Sequence, residues 1–170
     1  MDMVSHNFSI RVTVGYYNSA MYPSCTGGKN MSEPKMYINW SQMEKIVQLL
    51  ALRIGEREYK RVIGISRGGL IPGVMISQML DIPFTALQWQ TRDGSDKDVP
   101  TLLNLEENVD ELIFVDDICD SGLTIQQIKE YMPASQWAVL YDKIGTMELD
   151  FVGKTLYNNT QWLVFPWEKK

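Results

Sequence analysis

Apolar and polar positions along the 170-residue chain change period several times. Residues 112–115, Leu-Ile-Phe-Val, form a continuous apolar run of the kind a fully buried parallel strand shows. The run ends in Asp116 and Asp117, two carboxylates that a sheet interior does not tolerate unpaired. Asp120, Ser121, Gly122 and Thr124 then make a tight polar turn, and residues 125–131 read as the following helix. Upstream, Ile46, Leu49, Leu50 and Ile54 recur on one helical face, with Ser41 and Glu44 at capping-box spacing. Residues 59–65 read as a strand entering Ser66-Arg67-Gly68-Gly69. Residues 70–80 read as a helix with Pro72 in its first turn, and 83–87 as a strand. Residues 137–141 and 155–163 complete the set of strands. Strand and helix alternate throughout, which predicts an α/β fold with a mainly parallel central sheet flanked by helices.

Two stretches stand outside this rhythm. Phe8, Ile10, Val12 and Val14 alternate with polar residues as in a strand, and a loop-like run of Tyr, Ser, Gly and Pro follows. Residues 1–30 therefore read as an N-terminal extension, either an added edge strand or a poorly ordered segment, ahead of a domain at 31–170. His6, the sole histidine, reads as a solvated residue of that extension. Residues 89–109 form a long polar connection holding Arg92, and loops of that length in compact domains are commonly lids or binding loops, or else disordered.

Composition narrows the class. The length suits one domain with a sizeable core, and 45% hydrophobic against 22% charged residues is usual for a globular chain. No apolar run is long enough for a membrane span, and the first fifteen residues lack a secretory leader's basic start and apolar middle. Cys25 and Cys119 lie far apart without a CxxC, so neither zinc nor a disulfide framework is expected and a reducing cytoplasm is the natural setting. A net charge of −5 argues against a nucleic-acid surface. It leaves a phosphorylated ligand open, because local donors decide such binding once charges beyond about 8 Å are screened.

The chemistry concentrates at the 112–124 stretch. Ligands of open α/β sheets bind beyond the carboxyl ends of the strands, where N–H groups at a helix start cradle anions. Gly122 and the hydroxyls of Ser121 and Thr124 let a phosphate approach the backbone, while three carboxylates suit sugar hydroxyls and a hard cation such as Mg²⁺. A helix cap alone accounts for one of these residues, not for three carboxylates followed by Ser-Gly-x-Thr.

This stretch resembles the phosphoribosyl-pyrophosphate (PRPP) signature of type I phosphoribosyltransferases: apolar strand, Asp-Asp, two residues, then Asp-Ser/Thr-Gly-x-Thr. Residues 31–40, 63–73 and 162–168 further resemble the bacterial xanthine–guanine branch of that family. The resemblance implies the family's fold with a small C-terminal hood. It implies transfer of phosphoribosyl from PRPP to a 6-oxopurine (guanine, xanthine or hypoxanthine), giving the nucleoside monophosphate and pyrophosphate. Asp116 and Asp117 would hold the ribose hydroxyls, Asp117 also facing Mg²⁺, and Asp120 would act as proton acceptor beside the purine imidazole. Ser121, Gly122, Leu123 and Thr124 would wrap the 5′-phosphate. Ser66, Arg67, Gly68 and Gly69 would bind pyrophosphate, with a cis peptide at Arg67–Gly68, and Arg92 would close over it. Lys143 would donate to the exocyclic oxygen, Trp162 would stack on the base or else lie in the core, and Leu163 would offer backbone contacts. Glu168 stands where the branch has an Asp near the purine 2-position, and Val164 where it has an acid. A homodimer or homotetramer is implied as well. The rival readings are a PRPP-binding regulator without catalysis and a transferase for another nucleobase.

Overall fold

The computed structural model describes residues 34–91, 97–105, 107–145, 147–157 and 159–168. The extension at 1–30 and Arg92 lie outside the described residues. Five strands, β2 (Arg61–Ser66), β3 (Phe84–Gln88), β4 (Leu112–Cys119), β5 (Gln136–Asp142) and β6 (Phe151–Thr155), form one sheet in the order β3-β2-β4-β5-β6. Every pairing in it is parallel. A separate two-stranded parallel pair, β1 (Lys35–Tyr37) with β7 (Trp162–Val164), makes the hood.

Side chains of β4 alternate across the sheet, as the pleat requires. Ile113 and Val115 meet Val47, Leu50 and Ile54 of α1 (Trp40–Ile54) and Ile76 of α2 (Leu70–Leu80) on one face. Phe114 meets Leu102 of α3 (Val99–Leu103) and Ile125 and Ile128 of α4 (Leu123–Tyr131) on the other. There the Phe114 ring stacks on Trp137, with centroids 5.2 Å apart.

Several boundaries differ from the periodicity reading for local reasons. α1 is capped by Asn39, whose side chain accepts from the Gln42 N–H while the Gln42 side chain accepts from the Asn39 N–H, so the box sits two residues before Ser41. The 89–109 connection contains α3, because Asp98 accepts from the Thr101 N–H and Leu102 is buried in the core. The expected strand at 155–163 is strand only at its two ends, Thr155 closing β6 and Trp162 and Leu163 lying in β7, with a connection at 156–161 between them; the last strand of the five-stranded sheet lies earlier, with Phe151 buried. β4 also runs on past its apolar stretch to Cys119, since β5 continues to pair with it. No helix among the described residues is long and apolar enough to cross a membrane.

Gly64 on β2 and Gly73 on α2 both face the Phe84 ring; a Cβ on either would lie 2.7 or 2.8 Å from it. This close packing brings β2 and α2 together against the Phe84 ring of β3. Gly64→Ala is expected to cost about 1–3 kcal/mol by overpacking. Combining it with Phe84→Leu should cost less than the two single changes added together, and strict additivity in urea unfolding would refute the contact's role.

Candidate active site

The strand order reverses direction between β2 and β4: the chain leaves β2 toward β3 on one side and β4 toward β5 on the other. Open α/β sheets place their ligands at this switch point, beyond the strand carboxyl ends. The β2–β4 ladder stops at Gly64–Val115, whereas β4–β5 continues to Cys119–Asp142. Asp116 and Asp117 thus lie on a strand that has lost its neighbour on the β2 side. A cavity of about 750 Å³ opens there.

The wall on the β2 side is built by absence of side chains. A Cβ on Gly68 would collide with the Asp117 carboxyl group, and one on Gly69 with the Val115 carbonyl. The loop therefore folds directly onto β4. The peptide joining Ser66 to Arg67 is cis, one bond before the position the resemblance implies. Ser66, Arg67 and Gly68 line the cavity. Gly69 turns inward, donating its N–H to the Ile65 carbonyl at 2.8 Å, and opens α2.

On the β4 side, Asp116, Asp117, Asp120, Ser121, Gly122 and Thr124 all line the same cavity. Gly122 has φ 73°, a left-handed conformation that glycine adopts without penalty, and it reverses the chain into α4. Ser121 Oγ accepts from the Leu123 N–H at 3.4 Å. The Leu123 side chain itself is 41% exposed, so its part in the turn is through backbone. Asp116 Oδ1 accepts from the Asp117 N–H at 2.9 Å. Burial raises the Asp117 carboxyl from 3.8 to about 6, and the negative charge of Glu168 adds to the effect.

The third wall comes from β5 and the hood. Lys143 follows β5, and its N–H donates to the Cys119 carbonyl at 3.0 Å, which extends the β4–β5 pairing and sets it beside Asp120. Its Nζ pairs with Asp120 Oδ1 at 2.7 Å. Spacing along the chain gave no sign of that ion pair. Nor did it reveal Asp142, a buried carboxylate that accepts from the Ile144 N–H at 2.9 Å and the Gly145 N–H at 3.1 Å, holding the Lys143 turn. An Asp followed three residues later by glycine is the readable signal of such a turn.

Trp162 is 39% exposed and lines the cavity, which removes the core alternative. β7 pairs with β1 through Trp162 N–H to Pro34 O and Ile38 N–H to Val164 O, both 2.9 Å. Alternation along a strand then turns the N–H and C=O of Leu163 away from β1, and Leu163 lines the cavity. Glu168 lines it too, while its Oε2 accepts from the Phe165 N–H at 2.8 Å. Trp89, Gln90 and Thr91, read from sequence only as the start of a loop, also contribute. Trp89 is buried and donates from Nε1 to Gln127 of α4 at 3.2 Å.

A glycine loop and a carboxylate-bearing strand end that face each other across the switch point of a parallel sheet, under a small hood, define the type I phosphoribosyltransferase class. The phosphoribosyl transferase domain family matches residues 35–167, and the chain belongs to that family. It is 29% identical over 140 residues to the xanthine-guanine phosphoribosyltransferase of Nitratidesulfovibrio vulgaris strain Hildenborough, covering 78% of this chain and 84% of that one. It is 28% identical over 145 residues to the enzyme of the same name from Idiomarina loihiensis, covering 81% and 89%. The solved purine phosphoribosyltransferase of Pyrococcus horikoshii superposes with a TM-score of 0.60 at 26% identity, covering 80% of this chain and 95% of that one.

Two outcomes follow from the buried groups. A carboxyl raised from 3.8 to about 6 burdens folding only where it is ionised, so the burden is absent below about pH 3.8 and complete above about pH 6. Asp117→Asn should therefore stabilise the protein at pH 7.5 by about 1–2 kcal/mol, a rise of about 2–6 °C in thermal midpoint. The gain should shrink toward pH 4, and an equal gain at both pH values would show that charge is not its source. Burial, then the Asp142, Asp116 and Asp120 carboxylates, push the Cys119 thiol up to about 12. In a Cys25→Ser background, Cys119 should resist a thiol reagent at pH 8 until the protein is denatured. Fast labelling of the folded protein would contradict its burial.

Proposed function

We infer that the chain is a purine salvage phosphoribosyltransferase, converting a 6-oxopurine and PRPP to the nucleoside monophosphate and pyrophosphate. The observation that carries this reading is the meeting of the Ser66–Gly68 loop, the Asp116/Asp117 strand end and the Ser121–Thr124 turn around one cavity. The distribution of groups matches the parts of PRPP. The turn at the start of α4 offers N–H groups and hydroxyls to the 5′-phosphate. Asp116 and Asp117 accept from the ribose hydroxyls. Ser66, Arg67 and Gly68 hold the pyrophosphate with N–H donors and one guanidinium.

The donor set also fits Mg²⁺, which takes one or two carboxylates together with substrate phosphates and water. Asp117, whose charge is disfavoured by burial, is the carboxylate that gains most from a neighbouring cation. Asp117 would hold it directly or through water, and when bound the ion offsets charge building on the departing pyrophosphate. Among the described residues no group of three or more carboxylate, His or Cys side chains is placed to hold a metal alone, which suits an ion that enters with PRPP.

In the transfer, an imidazole nitrogen of the purine bonds to the anomeric carbon as the bond to pyrophosphate breaks, its electron pair leaving with pyrophosphate. Asp120 takes the proton that the other imidazole nitrogen loses as the bond forms. Lys143, held against Asp120, orients that carboxylate and donates to the exocyclic oxygen at position 6, while Trp162 covers the base face. Arg92 closing over pyrophosphate, a homo-oligomeric state and a cytoplasmic setting belong to the same reading.

Pyrophosphate release with Mg²⁺, PRPP and guanine tests it. Asp120→Ala should lower turnover by about 10²–10⁴-fold with unchanged thermal unfolding. Near-normal turnover of that variant would exclude Asp120 as the proton acceptor.

A further inference from the structure

We propose that Asp142 is a positioning residue for the reaction: its buried carboxylate fixes the turn that carries Lys143, and through Lys143 it holds Asp120 where the proton is taken. The inference rests on the transferase reading and deepens it by adding a residue that acts from behind the cavity wall. Lys143 and Asp120 line the cavity, whereas Asp142 is not among the residues that do.

Asp142 is the last residue of β5, flanked in register by Cys119 of β4 and Thr155 of β6, and only 3% exposed. A carboxylate in that place must be satisfied by the protein itself. Oδ1 accepts from the Ile144 N–H at 2.9 Å, and the Gly145 N–H is shared between Oδ1 and Oδ2 at 3.1 Å each. Those bonds curl the chain back directly after Lys143, a turn that an Asp side chain favours. Gly145 ends the turn with φ 69°, and a Cβ there would collide with the Tyr157 ring. On the main chain, the Leu156 N–H donates to the Asp142 carbonyl at 2.7 Å.

The consequence falls on Lys143, because both peptides that flank it are pinned. The N–H of the peptide before it donates to the Cys119 carbonyl at 3.0 Å, and the N–H of the peptide after it donates to Asp142 Oδ1. Peptide planes are rigid, so fixing both sets the direction in which the Lys143 side chain leaves the backbone. A lysine stem is otherwise flexible and loses much rotamer freedom when held in one place. Here the side chain is only 14% exposed and Nζ lies 2.7 Å from Asp120 Oδ1. Asp120 directly follows Cys119, so the backbone bond and the ion pair join the same two turns twice. Loosening the Asp142 end would let the ammonium drift from Asp120. A reacting group misplaced by about 1 Å can lose on the order of 10²-fold in rate.

Steady-state kinetics of the full chain with guanine, PRPP and Mg²⁺ test the assignment. Asp142→Ala should lower kcat/KM for guanine by about 10–100-fold. Asp142→Asn keeps an oxygen that accepts from both N–H groups, and it should recover kcat/KM to within about threefold of the unaltered protein. In a Lys143→Met background, Asp142→Ala should cost less than about threefold more, because residues that act as a unit are not additive. Where Asp142→Ala does not fold, Gly145→Val supplies the same cycle: it leaves the buried carboxylate in place and forces a β-branched residue into the left-handed end of the turn. Near-normal kcat/KM in Asp142→Ala or Gly145→Val would overturn the positioning role while leaving phosphoribosyl transfer standing. So would an Asp142→Asn variant as impaired as those two, or a loss undiminished in the Lys143→Met background. Absence of pyrophosphate release by the unaltered chain with guanine, hypoxanthine and xanthine alike would instead remove the transferase reading, and the positioning role with it.

Discussion

The contact on which the site depends is that of the Gly68–Gly69 backbone with β4. A parallel ladder between β2 and β4 would ordinarily continue until one strand ended. Here it stops at Gly64–Val115, and the glycine loop occupies the space beyond, against the Val115 carbonyl and the Asp117 carboxyl group. Side chains at either glycine would push the loop off the strand. With none, Ser66, Arg67 and Gly68 line one cavity together with Asp116 and Asp117 of β4.

That arrangement imposes a conflict between stability and function. Asp117 lies deep enough for burial to disfavour its charge, yet the proposed chemistry needs the charged form. The acid is poorly solvated in the free protein and best satisfied by a ligand or cation. Lys143 resolves a similar problem differently: its ammonium engages Asp120, and the turn behind it is held by the buried Asp142 carboxylate. The two carboxylates thus differ in partner: Asp120 is paired to a lysine, whereas Asp117 has hydrogen bonds with Asp116 and the Ile118 backbone that do not outweigh its burial.

The hood adds a second logic, based on backbone. β1 and β7 are three residues each, far too short to be a stable sheet alone. They are held by the core beneath them, where Phe165 packs edge-on to Tyr141 and stacks on Trp167. Because the pair is parallel and one residue of β7 faces away from β1, the hood presents an N–H and a carbonyl at Leu163 whatever that side chain is. The tail turn adds one charged group to the same cavity lining, Glu168.

Much was legible from sequence alone because the signals are local. The apolar run at 112–115, the acids after it and the Ser-Gly-x-Thr turn follow one another along the chain, and helix α2 was readable at its observed bounds as a largely apolar run between Gly69 and Asp81 with Pro72 in its first turn. Strand–helix alternation was enough for an α/β sheet with parallel pairing, since parallel strands need crossovers. What the chain order does not encode is which distant segments become neighbours. The strand order β3-β2-β4-β5-β6, the early end of the β2–β4 ladder, the Asp120–Lys143 pair and the place of Glu168 all join residues far apart in sequence. Even the strand at 151–155 escaped detection, because Gly153 and Lys154 interrupt its apolar pattern and only packing against α1 and β5 defines it. Periodicity reports which face of an element is buried; the partner that buries it is decided by the folded sheet.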